Sequence, residues 1–255
     1  MNLRKYGQEP FTVAVVHGGP GAPGEMADIA RELSSETGVL EPLQTADTVQ
    51  GQVEELGNVF KKDGSLPITV IGFSWGAWLG CILAASCSHC VRKLILVSSG
   101  PFEEKFSSRI MKMRLGRLAV GERREAELLY ERLNMSPPDN AGLARFGQLM
   151  SKADAYDPLP ERGEPLPVNI EIYRKVWNEA AKTRSSGELL RLASQVSCPV
   201  VAIHGDYDSH PAEAIRGLSA TIRDFRFVLL EKCGHHPWLE RHARDRFFEI
   251  LKCEI

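Results

Sequence analysis

The sequence predicts an α/β protein, a mostly parallel sheet covered by helices on both faces. Three observations carry this expectation. Short apolar, β-branched runs alternate with stretches of helical spacing, as a parallel sheet requires, since each strand needs a crossover to reach the next. Gly72-Phe73-Ser74-Trp75-Gly76 sits between one such run and a small, apolar helical stretch. Between about Pro101 and Val196 the alternation gives way to helical spacing alone.

Taken in order, Phe11 to Val16 reads as a buried strand and Gly24 to Thr37 as a helix. A short strand at Val39 to Leu43 and a helix at Thr48 to Lys61 follow. Leu66 to Gly72 is the strand before the Ser74 turn, Trp75 to Ser86 the helix after it, and Val91 to Ser98 the next strand. Beyond the insertion come a strand at Pro199 to His204, a helix near Pro211 to Ala220, a strand at Phe225 to Leu230 and a last helix at Trp238 to Lys252. That makes about six parallel strands. Residues 1–100 and 196–255 would form the core, and 101–195 a helical insertion. Within it apolar residues recur at helical spacing (Ile110, Met113, Leu118; Leu128, Leu129, Leu133; Ile172, Val176, Ala180), broken by Pro137-Pro138 and by the stretch from Pro158 to Pro167.

Composition excludes more than it selects. A chain of 255 residues with 43% hydrophobic and 25% charged residues is ordinary for a soluble globular protein and can bury a large core. A formal charge of −2 offers no electrostatic ground for nucleic acid or an anionic membrane as partner. No N-terminal segment resembles a signal peptide and no run approaches the roughly 18 apolar residues of a membrane span, so a cytoplasmic location is expected. Cys87-Ser88-His89-Cys90 has C-x-x-C spacing, but Cys81, Cys198, Cys233 and Cys253 are scattered and provide no second pair. Reduced cysteines near a helix end are the expectation, with Cys233 at the site rim, and no metal or cofactor is implied.

The chemistry converges on four segments. A serine between a strand and a helix, with glycine two positions away on either side, is the nucleophile elbow: the turn is too tight for a side chain at Gly72 or Gly76. Ser74 is a poor nucleophile alone and needs a base and a third group to orient that base. His235 follows a strand and a glycine, with His236 as its competitor; Asp206 or Asp208, after the strand ending at His204, supplies the acid. The other histidines, His89, His204, His210 and His242, read as satisfied surface or loop residues. Upstream, the first strand ends in His17-Gly18-Gly19-Pro20-Gly21. The N–H of Trp75, at the positive end of its helix, could meet a developing oxyanion.

The order oxyanion loop, Ser, acid, His resembles the α/β-hydrolase superfamily, and the His-Gly-Gly-Pro-Gly loop with the Ser-Trp-Gly elbow is most similar to its proline iminopeptidase branch. The resemblance implies an α/β-hydrolase fold with a helical cap over the nucleophile. It selects Asp208 as the acid, leaving Asp206 to brace the loop. It also makes Gly19 the second oxyanion donor, with Gly18, Pro20 and Gly21 shaping the loop and His17 hydrogen-bonded beneath it. The family usually begins with two further antiparallel strands, here expected to be missing or reduced to one stub. The implied activity is cleavage of a small ester, thioester or amide through an acyl-enzyme, with a small acyl compound as partner. The alternatives are an aminopeptidase that holds its substrate's amine with cap carboxylates such as Glu164, Glu171 or Glu179, and a non-hydrolytic lyase or ligand receptor.

Overall fold

The computed structural model describes residues 2–133, 135, 137, 139–160 and 166–255. Its sheet has seven strands: β1 (Leu3–Tyr6), β2 (Phe11–Val16), β3 (Gly38–Pro42), β4 (Ile68–Phe73), β5 (Val91–Val97), β6 (Val200–Gly205) and β7 (Phe225–Leu230). They lie in the order β1-β3-β2-β4-β5-β6-β7. The six expected strands run parallel, and β1 pairs antiparallel with β3 from Leu3 opposite Pro42 to Tyr6 opposite Val39. β1 is the single stub expected from the leading strands.

Alternation along the strands divides the core between the two faces. Ala14, Val16, Val70, Leu94, Leu96 and Ala202 join one cluster with α2 (Val49–Asp63) and α3 (Trp75–Ser86). Val13, Val15, Ile71, Phe73, Ile95, Val97 and Ile203 join the other, with α1 (Ala27–Leu33) and the C-terminal helix. Burial on both faces is why these strands are nearly unbroken apolar runs. Thr48 caps α2 by accepting from the Gly51 N–H at 3.0 Å, so that helix starts where the sequence places it.

Between β5 and β6 the chain forms α4 (Ser107–Arg117), α5 (Val120–Arg132), α6 (Asn140–Asp154), α7 (Ile170–Ser185) and α8 (Glu188–Ala193). The first three share a small core of their own, including Leu118, Ala126, Leu133, Phe146 and Leu149. Met113 and Leu128, which the helical spacing would bury, are exposed. From α7 and α8, Val176, Ala180, Leu189 and Ala193 pack into the main core beside α3.

After β6 come α9 (Ala212–Arg216) and, after β7, α10 (Arg244–Glu254). The last helix begins six residues later than Trp238, the start expected from the sequence, because the Glu240 carboxylate is committed to the preceding loop, as described below. Cys87 and Cys90 are joined by a disulfide where reduced thiols were expected. The turn after α3, with the Cys90 N–H donating to the Cys87 carbonyl at 2.9 Å, brings their Cα atoms to 5.4 Å, within bridging range. Cys233 is fully buried rather than at a rim, and burial pushes its thiol pKa up. No helix among the described residues is long and apolar enough to cross a membrane.

Candidate active site

The elbow has the backbone its sequence demands. Ser74 stands between β4 and α3 at φ 50°, ψ −108°, a conformation costly for a residue with a Cβ and kept only where the surroundings impose it. A Cβ on Gly72 would lie 2.3 Å from the Gly76 carbonyl oxygen, and one on Gly76 would lie 2.3 Å from that of Val16. Both glycines are therefore fixed by the close approach of strand, turn and helix.

The loop after β2 lies beside the elbow. Gly19 adopts φ 38° and Gly21 φ 71°. The Gly18 N–H donates to Glu25 Oε1 at 2.6 Å, which spends that group on bracing the loop. Among the described residues the N–H groups of Gly19 and Trp75 have no hydrogen-bond partner. Pro20 is buried in the same turn, and the Gly21 carbonyl accepts from Asn169 N at 2.7 Å, tying the loop to the start of α7. His17 is fully buried with Nδ1 2.6 Å from the Gly18 carbonyl, and burial holds its pKa below the ordinary value, so the ring is neutral.

Of the candidate acids, Asp208 meets the base: its Oδ2 accepts from His235 Nδ1 at 2.7 Å. Asp206 accepts from the Cys233 N–H at 3.1 Å and braces the following loop. Burial alone would raise the Asp208 pKa, but His235, His210 and His204 outweigh it and hold the carboxyl well below its usual range. Burial, assisted by His210, holds His235 below the ordinary histidine value against the opposing pull of Asp208. The ring of His235 lies against Phe73, the neighbour of Ser74 in the chain, at 4.8 Å between centroids. A bond from Ser74 Oγ to His235 is not among the hydrogen bonds formed between described residues, and such joints commonly tighten only with substrate bound. His236 packs on Phe73 and Trp238, with Nε2 3.7 Å from Glu25 Oε2.

Three further groups escaped sequence reasoning. His210, read there as a satisfied loop residue, is satisfied by Asp208 itself. An aspartate followed two residues later by the residue whose N–H it accepts is an Asx turn, and that was the available signal. Glu240, 1% exposed, accepts from the N–H groups of Gly234, Tyr156 and Asp157 at 2.8–2.9 Å and fastens the His235 loop to the end of α6. The buried pair Arg114–Asp154 lies beside the same loop, where the His235 N–H donates to the Asp154 carbonyl at 3.0 Å. No sequence spacing announces the long-range partners, because Arg114 and Asp154 are 40 residues apart and Glu240 lies 84 and 83 residues from Tyr156 and Asp157.

Asp208, His210 and His235 hold possible metal-ligand atoms within 4.8 Å of one another. Both Nδ1 atoms donate to the carboxylate, so neither offers a lone pair there. Cys87, His89 and Cys90 are similarly close, but their thiols are joined in the disulfide.

A cavity of about 390 Å³ opens over Ser74 beneath the inserted helices. Trp75, Trp78, Tyr173 and Trp177 line it, the last three as a ladder of near-parallel rings. Arg114, Arg184 and Glu104 add charge, with Arg184 paired to Glu104 at 2.7 Å. Of the carboxylates considered for an amine clamp, Glu179 accepts from the Val49 N–H and Glu171 pairs with Arg174. Glu164 lies outside the described residues.

No curated protein sequence matches the chain. Among solved structures it is similar to VinJ, at 19% identity and a TM-score of 0.69, covering 99% of this chain and 93% of that one. A thermophilic esterase from Thermogutta terrifontis has 20% identity and a TM-score of 0.65 over 98% and 92% of the two chains. The proline iminopeptidase of Mycobacterium smegmatis has 17% identity and a TM-score of 0.64 over 99% and 92%. These likenesses show a shared fold. The description of the alpha/beta hydrolase family matches residues 10–250, nearly the whole sequence, and the chain belongs to that family.

Proposed function

We propose that this hydrolase is a serine hydrolase that cleaves a small ester, thioester or amide through an acyl-enzyme. The observation that carries the reading is the buried His235–Asp208 pair at 2.7 Å, whose imidazole lies against Phe73, the residue before Ser74 on its positive-φ turn. In the proposed first step Ser74 Oγ attacks the acyl carbonyl carbon while His235 Nε2 takes the hydroxyl proton. Asp208 stabilises the imidazolium, and the carbonyl oxygen, now an oxyanion, accepts from the N–H groups of Gly19 and Trp75. Collapse expels the alcohol, thiol or amine, which leaves with the proton from His235. Water then attacks the acyl-serine with the same base, releasing the acid and restoring Ser74.

Residues 1–100 and 196–255 serve as the catalytic core in this reading, and residues 101–195 as the cap that shapes the acyl pocket. The aromatic ladder over Ser74 favours a flat or apolar acyl group. The engagement of Glu171 and Glu179 elsewhere weighs against an aminopeptidase, whose substrate carries a free amine. Turnover of a p-nitrophenyl ester series, set beside proline naphthylamide, tests the reading. Ester hydrolysis that is lost in Ser74→Ala supports it. Exclusive cleavage of the naphthylamide would move the assignment to an aminopeptidase, and no turnover of either would favour a receptor or lyase.

A further inference from the structure

Asp208 carries two imidazoles. Its Oδ2 accepts from His235 Nδ1 at 2.7 Å, while Oδ1 accepts from His210 Nδ1 at 2.8 Å and from the His210 backbone N–H at 2.9 Å. The His210 ring also stacks on His235, with centroids 4.5 Å apart and planes 27° from parallel. His204 Nε2 donates to the His210 carbonyl at 2.8 Å and stands 3.7 Å from Asp208 Oδ2. His210 is thus held at its N–H, its carbonyl and its ring, and it lines the cavity that contains Ser74. An ionised carboxylate only accepts, so both Nδ1 atoms carry hydrogen, and neutral His235 keeps its lone pair on Nε2. A histidine serving only to fill the loop would need neither the bond to the acid nor the stack on the base.

We propose that His210 is a positioning residue for the acid–base pair: its Nδ1–H and its stacked ring fix the Asp208 carboxylate against His235 and draw off part of the carboxylate's charge, so that His235 remains unprotonated to lower pH. The proposal rests on the serine-hydrolase reading. Its sign follows from electrostatics. A carboxylate that loses a donor has more charge left for the imidazolium of His235, and that imidazolium then gives up its proton at higher pH. His210 stands, after burial, among the causes that hold His235 below its ordinary value. The other groups facing this cluster are His236, whose ring meets that of His235 edge-on at 5.4 Å, Cys233 of the same loop, His204 from β6, Asp154 at the end of α6, and Arg114 of α4 behind Asp154. None of His204, Asp154 and Arg114 supplies a donor to Oδ1 in place of His210.

Two variants separate the roles of ring and donor. His210→Phe keeps the stacked ring without the donor, and His210→Asn puts an amide N–H near the position of Nδ1. Loss of a buried charge-assisted bond predicts that His210→Phe lowers kcat by about ten- to hundredfold and moves the acid limb of kcat/KM upward by about half a pH unit or more. His210→Asn should remain within about fivefold of wild type in kcat. Two measurements do not depend on turnover. Proton NMR of the resting wild type should show two far-downfield Nδ1–H signals, of which His210→Phe removes one, and the protonation midpoint of His235 should rise in that variant. If His210→Phe matches wild type in kcat, acid limb and His235 midpoint, the proposal is overturned. It is also overturned if a folded His210→Asn is as impaired as His210→Phe. Should His210→Phe not fold, His210→Ala takes its place in both readouts. Failure of the hydrolase reading would instead appear as wild-type protein without Ser74-dependent turnover, while the NMR midpoints still decide the role of His210.

Discussion

Replacing Arg114 by methionine should destabilise the protein most at mildly alkaline pH and least in acid. Arg114 Nε and Nη2 both reach Asp154 Oδ2, at 2.8 and 2.6 Å, and the two side chains are 17% and 2% exposed. Among the described residues Asp154 Oδ1 is buried with no hydrogen-bond partner, so the guanidinium is the main compensation for the charge. Methionine keeps much of the length and apolar bulk and removes the cation. Leaving a buried charge uncompensated costs about 3–5 kcal/mol. For a chain of this size that corresponds to a fall in Tm of about 6–20 °C.

The pH dependence distinguishes a lost charge pair from simple repacking. Burial would raise the Asp154 pKa, but Arg114 and then His235 outweigh it and hold it below 3.8. In the native protein the pair therefore contributes stability that is fully present above the unfolded carboxyl's pKa and is lost as pH falls through the lower folded value. Without Arg114, burial dominates and the Asp154 pKa rises above its unfolded value. Protonation of Asp154 then relieves the penalty, and the deficit shrinks as pH is lowered from 8 towards 5. Thermal unfolding followed by circular dichroism across that range, for wild type, Arg114→Met and Arg114→Met/Asp154→Leu, measures this. The double variant should recover most of the loss, because an apolar replacement leaves no buried charge. A deficit of the same size at every pH, or a single variant as stable as wild type, would refute the reasoning.

Three further outcomes are expected. Ser74→Ala should leave the circular dichroism spectrum unchanged and lower kcat by several powers of ten, with loss of fluorophosphonate labelling; retention of more than about a tenth of wild-type kcat would exclude the covalent serine route. Asp208→Asn should cost on the order of 10⁴ in kcat on an activated ester, since the amide can hold His235 in the wrong tautomer. Asp206→Asn, measured beside it, should be far milder because Asp206 braces the Cys233 N–H instead. Gly76→Ala should lose on the order of 3 kcal/mol in chemical denaturation or fail to accumulate, because its Cβ would stand 2.3 and 2.6 Å from the Val16 and His17 carbonyl oxygens; a soluble variant within about 1 kcal/mol of wild type would contradict the packing described.

The central strands β2, β4, β5 and β6 were legible because burial on both faces leaves a nearly unbroken apolar run, whereas β7 at the sheet edge is only partly buried and was legible from its apolar, β-rich composition. The elbow was legible for a similar reason. Gly72 is required by its contact with the Gly76 carbonyl inside the five-residue turn, a constraint written locally, whereas Gly76 is required by the approach of the Val16 and His17 carbonyls at the end of β2. Other parts were hidden by distance or by competition. The expected helix from Trp238 is replaced at its start by a short turn at Pro237–Leu239, where the Glu240 carboxylate gathers the N–H groups of Gly234, Tyr156 and Asp157 instead of lying on a helix surface. The late start of the helix comes from these tertiary bonds, and no local propensity encodes them. His210 was visible as a residue but not as a partner, because a lone histidine gives no sign of which carboxylate it faces. The Cys87–Cys90 bridge shows the reverse error, a local signal discounted for want of a second pair.

The end of α6 and the loop that carries His235 are built as one unit. The last residues of α6 and the strap behind it, residues 154–159, meet the loop at 234–241 through a series of bonds. His235 N reaches the Asp154 carbonyl, Glu240 gathers Gly234, Tyr156 and Asp157, Leu159 N reaches the Leu239 carbonyl, and Arg241 N reaches the Asp157 carbonyl. A Cβ on Gly234 would lie 2.0 Å from the Asp154 carbonyl oxygen, so the two segments touch at backbone distance. Each bond contributes only about 0.5–1.5 kcal/mol net, but leaving its buried partner unsatisfied costs about 1–3 kcal/mol. Lifting α6 would break several at once and would pull directly on the peptide that carries His235. The geometry of the His235 loop is therefore held by its bonds to the segment behind α6, and Arg114 of α4, through its pair with Asp154, ties a second inserted helix to the same point, so a change in α4 that moves Arg114 would be felt at His235 as well.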